Sequence, residues 1–231
     1  MPSTIPYLDF LTETFAGCKI IHIVRNGLDV ALDVGKKEWY SNKQLRRPIC
    51  SGLLYRKYMS KKDLETYYIT WWVKKGEDEM FLKMSDFAKG LYSWRRYFKL
   101  SEQQVKKFVS CHQNQYKEIR FENMLRNPKA VIDDLFGFLH ARIPRHTEIV
   151  MSKIGTRVLN PKKYPLKSVP DEEKAKVKRL LKKLKYPRII YDNGGALYID
   201  HSLFYNKCVR NKFKCIKLYI LEELIEAKVL C

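Results

Sequence analysis

Apolar residues recur along this chain in two rhythms, and the first forty residues contain both. Tyr7, Leu8, Leu11 and Phe15 fall at helical spacing, which predicts a helix over the opening PSTIPYLDFLTETF, and Gly17 breaks the pattern. KIIHIV (19–24) follows, a β-branched run interrupted only by His22. It reads as a buried, parallel strand. RNG comes next, then a helical stretch LDVALDVGKKEW. Helix, strand, turn and helix in this order predict an α/β layered fold with a parallel central sheet flanked by helices.

Further on, residues 41–66 are polar and basic, with Pro48 and Gly52, and read as a connection. Residues 67–114 carry aromatics at helical spacing, among them Trp71, Trp72 and Trp94, and predict two or three helices. These tryptophans either line an acceptor pocket or, as aromatics at such spacing more often do, fill the core. YKEIRF (116–121) is a second strand candidate. Asn127 is placed to cap a helix that has Pro128 in its first position. Val131, Ile132, Leu135, Phe136 and Leu139 form that helix's apolar face.

Charge changes the picture of the next segment. The 231 residues carry 45 lysines and arginines against 25 acids, a net charge of +20. Half of it, +10, lies between Lys153 and Arg188, where thirteen basic residues face only Asp171, Glu172 and Glu173. A surplus of this size favours anionic partners such as phosphate, sulfate or a polyanion. Part of the segment reads as a helix with Ser168 and Asp171 as a capping box and Val177, Leu180, Leu181 and Leu184 buried. Its lysines then face solvent.

After Asp192, NGGALYID suggests a turn, and KCIKLYILEELIEAKVLC suggests an amphipathic helix too charged to span a membrane. No apolar run of the length needed for a membrane-spanning helix appears, and no leader follows Met1, so the chain as written reads as soluble and intracellular. The six cysteines lack CxxC spacing, and no metal site is expected.

The candidate chemistry sits in FAGCKIIHIVRNGLDVALD (15–33), where a strand delivers Arg25 at its C-terminal end beside a helix start. In open α/β sheets ligands gather at such strand ends. An arginine near exposed helix N–H groups suits phosphate or sulfate. Taken alone, an arginine after a strand is more often a salt-bridge partner.

This segment resembles the 3′-phosphate-binding motif of the PAPS-dependent sulfotransferases, matching it through Phe15, Lys19, Ile21, His22, Val24, Arg25, Gly27, Asp29, Val30, Ala31 and Leu32. A second landmark of that family is similar to YKEIRFENMLRNP (116–128), with Glu122, Leu125 and Pro128 retained. The preceding helix and the late helix over 166–186 also fit. The resemblance covers roughly residues 1–190, with 191–231 as a tail. It implies a P-loop NTPase-like three-layer sulfotransferase fold, with PAPS as sulfuryl donor and an unnamed hydroxyl or amine acceptor. It places Arg25, Asp33 and Phe121 at the nucleotide, with Lys153 and Arg157 of the basic segment as further contacts.

Departures accompany the match. The family's serine falls on Asp33, whose carboxylate repels a phosphate unless a cation compensates it, and its tyrosine falls on Phe121, which keeps the ring and loses the hydroxyl. Asn123 stands where an acid is usual. No Gly/Ser/Thr-rich loop of the kind that wraps a 5′-phosphosulfate occurs, and no catalytic base is found. His112, His140 and His146 carry no pattern that marks one. The fold is therefore expected to be N-terminally incomplete, through a misplaced start at Met1 or a true lack of its front. A complete chain is expected in the cytoplasm, and one with a preceding segment at the Golgi or another membrane. Two alternatives stand beside a sulfotransferase: a degenerate, non-catalytic anion- or nucleotide-binding module, and a polyanion binder acting through 153–188.

Overall fold

The computed structural model describes residues 8–15, 17–48, 55–154 and 163–186, with the backbone alone for 151–154, 189–191 and 197–199. In chain order the elements are α1 (Leu8–Thr14), β1 (Ile20–Val24), α2 (Gly27–Lys36), α3 (Asn42–Leu45), β2 (Tyr55–Met59), β3 (Thr66–Thr70), α4 (Asp78–Lys83) and α5 (Asp86–Cys111). There follow β4 (Tyr116–Arg120), α6 (Phe121–Arg126), α7 (Pro128–Leu139), α8 (Arg145–Ile154), α9 (Asp171–Lys183), β5 (Ile189–Tyr191) and β6 (Leu197–Ile199). The architecture is mixed α/β and rich in helix.

β1 and β4 pair in parallel, from Ile20 opposite Tyr116 to Val24 opposite Arg120. Period-two alternation divides their side chains between the two faces. Ile21 and Ile119 meet Ile132, Leu135 and Phe136 of α7 on one face. Ile20 and Tyr116 meet Leu8 of α1 and Phe108 of α5 on the other. The parallel pair is thus flanked by helices, as the sequence pattern predicts. It is less buried than that pattern implies, since Ile23 is 37% exposed. α7 begins as expected: Asn127 Oδ1 accepts from the Ala130 N–H, and Pro128 takes the first turn. His140, in the left-handed region at φ 52°, ends it.

The main core lies where α2 crosses α5. Leu28, Ala31 and Val34 of α2 pack with Phe87, Ala88, Leu91, Tyr92 and Trp94 of α5. Small residues permit the close approach. A Cβ on Gly90 would lie 3.1 Å from the Ala31 backbone, and one on Gly27 would overlap the Trp94 ring. Trp72 and Trp94 are buried, and Trp71, Trp72, Tyr97 and Tyr40 form an edge-to-face array. Trp72 and Trp94 are core residues and the partly buried Trp71 packs against that core, the commoner of the two expectations.

Three expectations are corrected. The supposed connection at 41–66 holds the short helix α3 and the strand β2. The supposed run of helices from residue 67 opens inside β3, which pairs antiparallel with β2 from Thr70 opposite Tyr55 to Thr66 opposite Met59. Tyr67 and Ile69 point inward on alternate positions, and the aromatic and β-branched side chains suit a pleated surface better than a helix. Finally, α9 is preceded by Pro170 with no side-chain cap, because Ser168 is turned away: its hydroxyl bonds Ser85 Oγ and the Pro165 carbonyl.

α9 docks on α5 through a buried bidentate pair, Arg95 with Glu173, and through Val177 and Leu181. β5 and β6 pair antiparallel, from Ile189 opposite Ile199 to Tyr191 opposite Leu197. The expected amphipathic helix near the C-terminus lies outside the described residues. Among the described residues, no helix is long and apolar enough to cross a membrane.

Candidate functional site

Two parallel strands that each run into a helix place two helix starts side by side. Asn26, after β1, caps α2 with its own side chain, Oδ1 accepting from the Leu28 N–H at 2.9 Å. The Asn26 N–H donates to Glu122 Oε1 of α6 at 2.7 Å, across 96 positions of sequence. Glu122 and Asn26 are both buried. The acid retained in the second motif therefore stitches the two strand ends together.

Arg25 stands between them. Its Nη1 donates to Asp33 Oδ2 at 2.7 Å, and its guanidinium lies 5.0 Å from the centre of the Phe121 ring. Its carbonyl accepts from Trp94 Nε1 at 3.2 Å. Nε is buried without a hydrogen-bond partner. The side chains of Arg25 and Asp33 are 21% and 35% exposed, so the pair borders solvent. All three residues singled out in the sequence, Arg25, Asp33 and Phe121, thus meet at one point.

Asp29, one turn before Asp33 on α2, accepts from the Tyr164 hydroxyl at 2.9 Å. Tyr164 is buried, and burial first, then the Asp29 carboxylate, pushes its phenol well above the usual range. Burial, with the neighbouring Glu122 charge, raises Tyr186 as well. The strand end therefore gathers the Arg25 guanidinium on the Phe121 ring, the Arg120 guanidinium over Tyr186, and three carboxylates: Asp29, Asp33 and Glu122. Arg25 and the Phe121 face can receive an anion attached to a flat group, provided that Asp33 yields its place.

Sequence reasoning missed Asn26, Tyr164 and the tethering role of Glu122. The spacing of Asp29 and Asp33 at i and i+4 is a signal that could have placed two carboxylates on one helix face. Tyr164 carries no such signal, because it reaches α2 through tertiary folding alone.

His22, His112 and His140 make their contacts elsewhere. His22 Nδ1 lies 2.7 Å from the Tyr116 hydroxyl within the sheet, and burial lowers its pKa to about 4. His112 stacks on Phe108 at the end of α5, and His140 ends α7. His146 lies in α8. Lys153 and Arg157 fall outside the described side chains. Lys178, Arg179, Lys182, Lys183 and Lys185 lie on the exposed side of α9 and the turn after it, with Lys183 bonded to Glu102 of α5. An open groove of about 470 Å³, lined by Met80, Lys83, Met84 and 167–170, shares no residue with the Arg25 cluster. Among the described residues, no group of three His, Cys, Asp or Glu side chains is arranged to hold a metal ion.

No family model, curated protein or solved structure matches this chain.

Proposed function

We propose that the chain is a sulfotransferase-family protein whose β1 and β4 ends form a site for the 3′-phosphate of an adenosine 3′-phosphate donor, PAPS. The observation that carries this reading is convergence. The two segments that resemble the family's landmarks, 15–33 and 116–128, lie as adjacent parallel strands, and Arg25 of the first stacks on Phe121 of the second. A coincidental likeness in two separate stretches gives no reason for that meeting.

In this reading Arg25 holds the phosphate through its guanidinium N–H groups. Phe121 fixes the plane of that guanidinium by a cation–π contact and offers the nucleotide an apolar edge. Glu122 and Asn26 set the spacing between the two helix starts. The donor supplies the sulfuryl group for in-line transfer to a hydroxyl or amine. These residues contribute binding and orientation rather than a base. The buried, unpartnered Nε of Arg25 fits an incoming oxygen, whereas the Asp33 carboxylate opposes one.

Calorimetry with 3′,5′-ADP tests the reading. Wild type is expected to bind and Arg25→Ala to lose binding at least about tenfold, the scale of a charge-assisted hydrogen bond. Equal affinities for the two proteins sink it. Because no phosphate-cradling loop occurs in the sequence, the purified 231-residue polypeptide is expected to transfer little sulfuryl group from PAPS. Detectable transfer to any acceptor overturns that expectation.

The Arg25–Asp33 ion pair favours a second reading, a non-catalytic anion-binding module of the same ancestry. An arginine already neutralised by its own helix is poorly set for tight donor binding. The same titration separates the two: Arg25-dependent binding without selectivity for the 3′-phosphate supports the module.

A further inference from the structure

We infer that Asp33 is a specificity-determining residue that occupies the anion's place on Arg25, so that any phosphate or sulfate entering this site must displace it. The inference rests on the reading of Arg25 as an anion ligand and goes further by naming what controls access to it.

The geometry confines the competition to one spot. The Arg25 carbonyl is bonded to Trp94 and its guanidinium lies against the Phe121 ring, contacts that favour the position in which the side chain meets Asp33. Of its donors, Nη1 is engaged by Asp33 at 2.7 Å, while Nε is buried and unpartnered. Asp33 is carried by the second turn of α2, a helix packed against α5 through Leu28, Ala31 and Val34. The carboxylate is therefore presented to Arg25 in the free protein and needs no rearrangement to stay there.

The surrounding charge reinforces the effect. Asp29 is tied to Tyr164 and Glu122 to the Asn26 N–H, and both carboxylates remain at the strand end. An entering dianion would meet the carboxylates of Asp33, Asp29 and Glu122 beside Arg25. Repulsion between like charges in a half-buried site is costly. Removing the Asp33 charge weakens the competitor to a neutral acceptor and eliminates one repulsive partner, while Asp29 and Glu122 keep their hydrogen bonds.

The experiment is calorimetric titration of the full chain and of Asp33→Asn, Asp33→Ser, Arg25→Ala and the double variant Arg25→Ala/Asp33→Asn. The ligands are 3′,5′-ADP, adenosine 5′-phosphate and inorganic sulfate. Asp33→Asn is expected to tighten 3′,5′-ADP at least about tenfold over wild type, with a smaller gain for adenosine 5′-phosphate, and the double variant to lose the gain. Asp33→Ser, a smaller neutral replacement, is expected to behave likewise, and circular dichroism of each variant establishes folding. Arg25-dependent binding in wild type with no gain in either folded Asp33 variant overturns the inference and leaves the nucleotide reading standing. A gain of equal size for sulfate and both nucleotides supports the inference and overturns the nucleotide reading. Failure of every protein to bind any of the three ligands overturns both.

Discussion

The seam between α2 and α5 and the paired ends of β1 and β4 share one helix, and they are built on opposite rules. The inner face of α2 meets α5 by shape. Leu28 and Ala31 are fully buried, and Gly27 and Gly90 admit Trp94 and the α2 backbone where a methyl group would not fit. The face carrying Asp29 and Asp33 is arranged by charge: Tyr164 reaches Asp29, and Arg25 reaches Asp33. A ten-residue helix can do both because i, i+3, i+4 spacing separates its apolar and acidic stripes. The contrast teaches where stability resides in this protein. Close-packed interiors respond to the loss of single methyl groups, whereas half-exposed ion pairs contribute little to folding.

The largest effect is expected on the packed side. Leu28→Ala opens a cavity in the seam and is expected to cost about 3 kcal/mol, the usual range for a buried leucine. Chemical denaturation measures it. A loss below about 1 kcal/mol would mean that the seam is loosely packed and would break the comparison. Gly27→Ala comes next. The new methyl overlaps the Trp94 ring, which is buried and bonded to the Arg25 carbonyl. Overpacking of this kind is expected to cost about 2 kcal/mol. The same change should disturb Arg25 and so weaken anion binding, which makes it the one substitution that reads out both regions at once.

A pH experiment probes the strand pair itself. Burial lowers His22 from the usual 6.5 to about 4 in the folded chain. The unfolded chain therefore takes up this proton first as pH falls. Stability that is fully present above about pH 6.5 is lost between there and about pH 4, and the loss levels off below. The contribution is about 2 kcal/mol at most, since the ring is only partly enclosed. Denaturation at pH 7 and pH 4.5 should show wild type losing more stability than His22→Gln. Parallel losses in the two proteins would remove His22 as the cause.

The two regions were also unequally legible in the sequence. The β1–α2 unit, β4 and α7 follow from local pattern: a β-branched run, an Asn–Pro helix start and a periodic apolar face. The meeting of Arg25, Asp33 and Phe121 was legible through the family resemblance together with the i+8 spacing along α2. The β2–β3 hairpin was not. Arg56 and Lys57 gave β2 the look of a loop, yet the Arg56 guanidinium is spent on the Val73 carbonyl and on Asp78. Tyr67 and Tyr68 of β3, with Trp71 and Trp72 just beyond it, matched a helical period as well as a strand's, and only burial of Tyr67 and Ile69 on alternate positions decides between them. Tyr164 and the Arg95–Glu173 pair were invisible for a different reason. Each is made by partners far apart in sequence whose meeting no local rhythm encodes.

The smallest expected effect on stability falls on the residue with the largest expected effect on binding. Asp33→Asn removes a pair whose side chains are 21% and 35% exposed, and such pairs contribute less than about 1 kcal/mol because solvent screens them. The amide can still accept from Arg25 Nη1 through its oxygen, so local geometry should survive. A shift in the denaturation midpoint within experimental error, beside a changed affinity for 3′,5′-ADP, is the outcome the comparison requires. A loss of 2 kcal/mol or more would place Asp33 among the folding contacts and make the charged face of α2 as structural as its packed one. Raising the salt concentration sharpens the distinction. Screening should weaken anion binding by the variant, whereas the salt dependence of the denaturation midpoint, which the +20 charge of the whole chain sets, should be the same in wild type and Asp33→Asn.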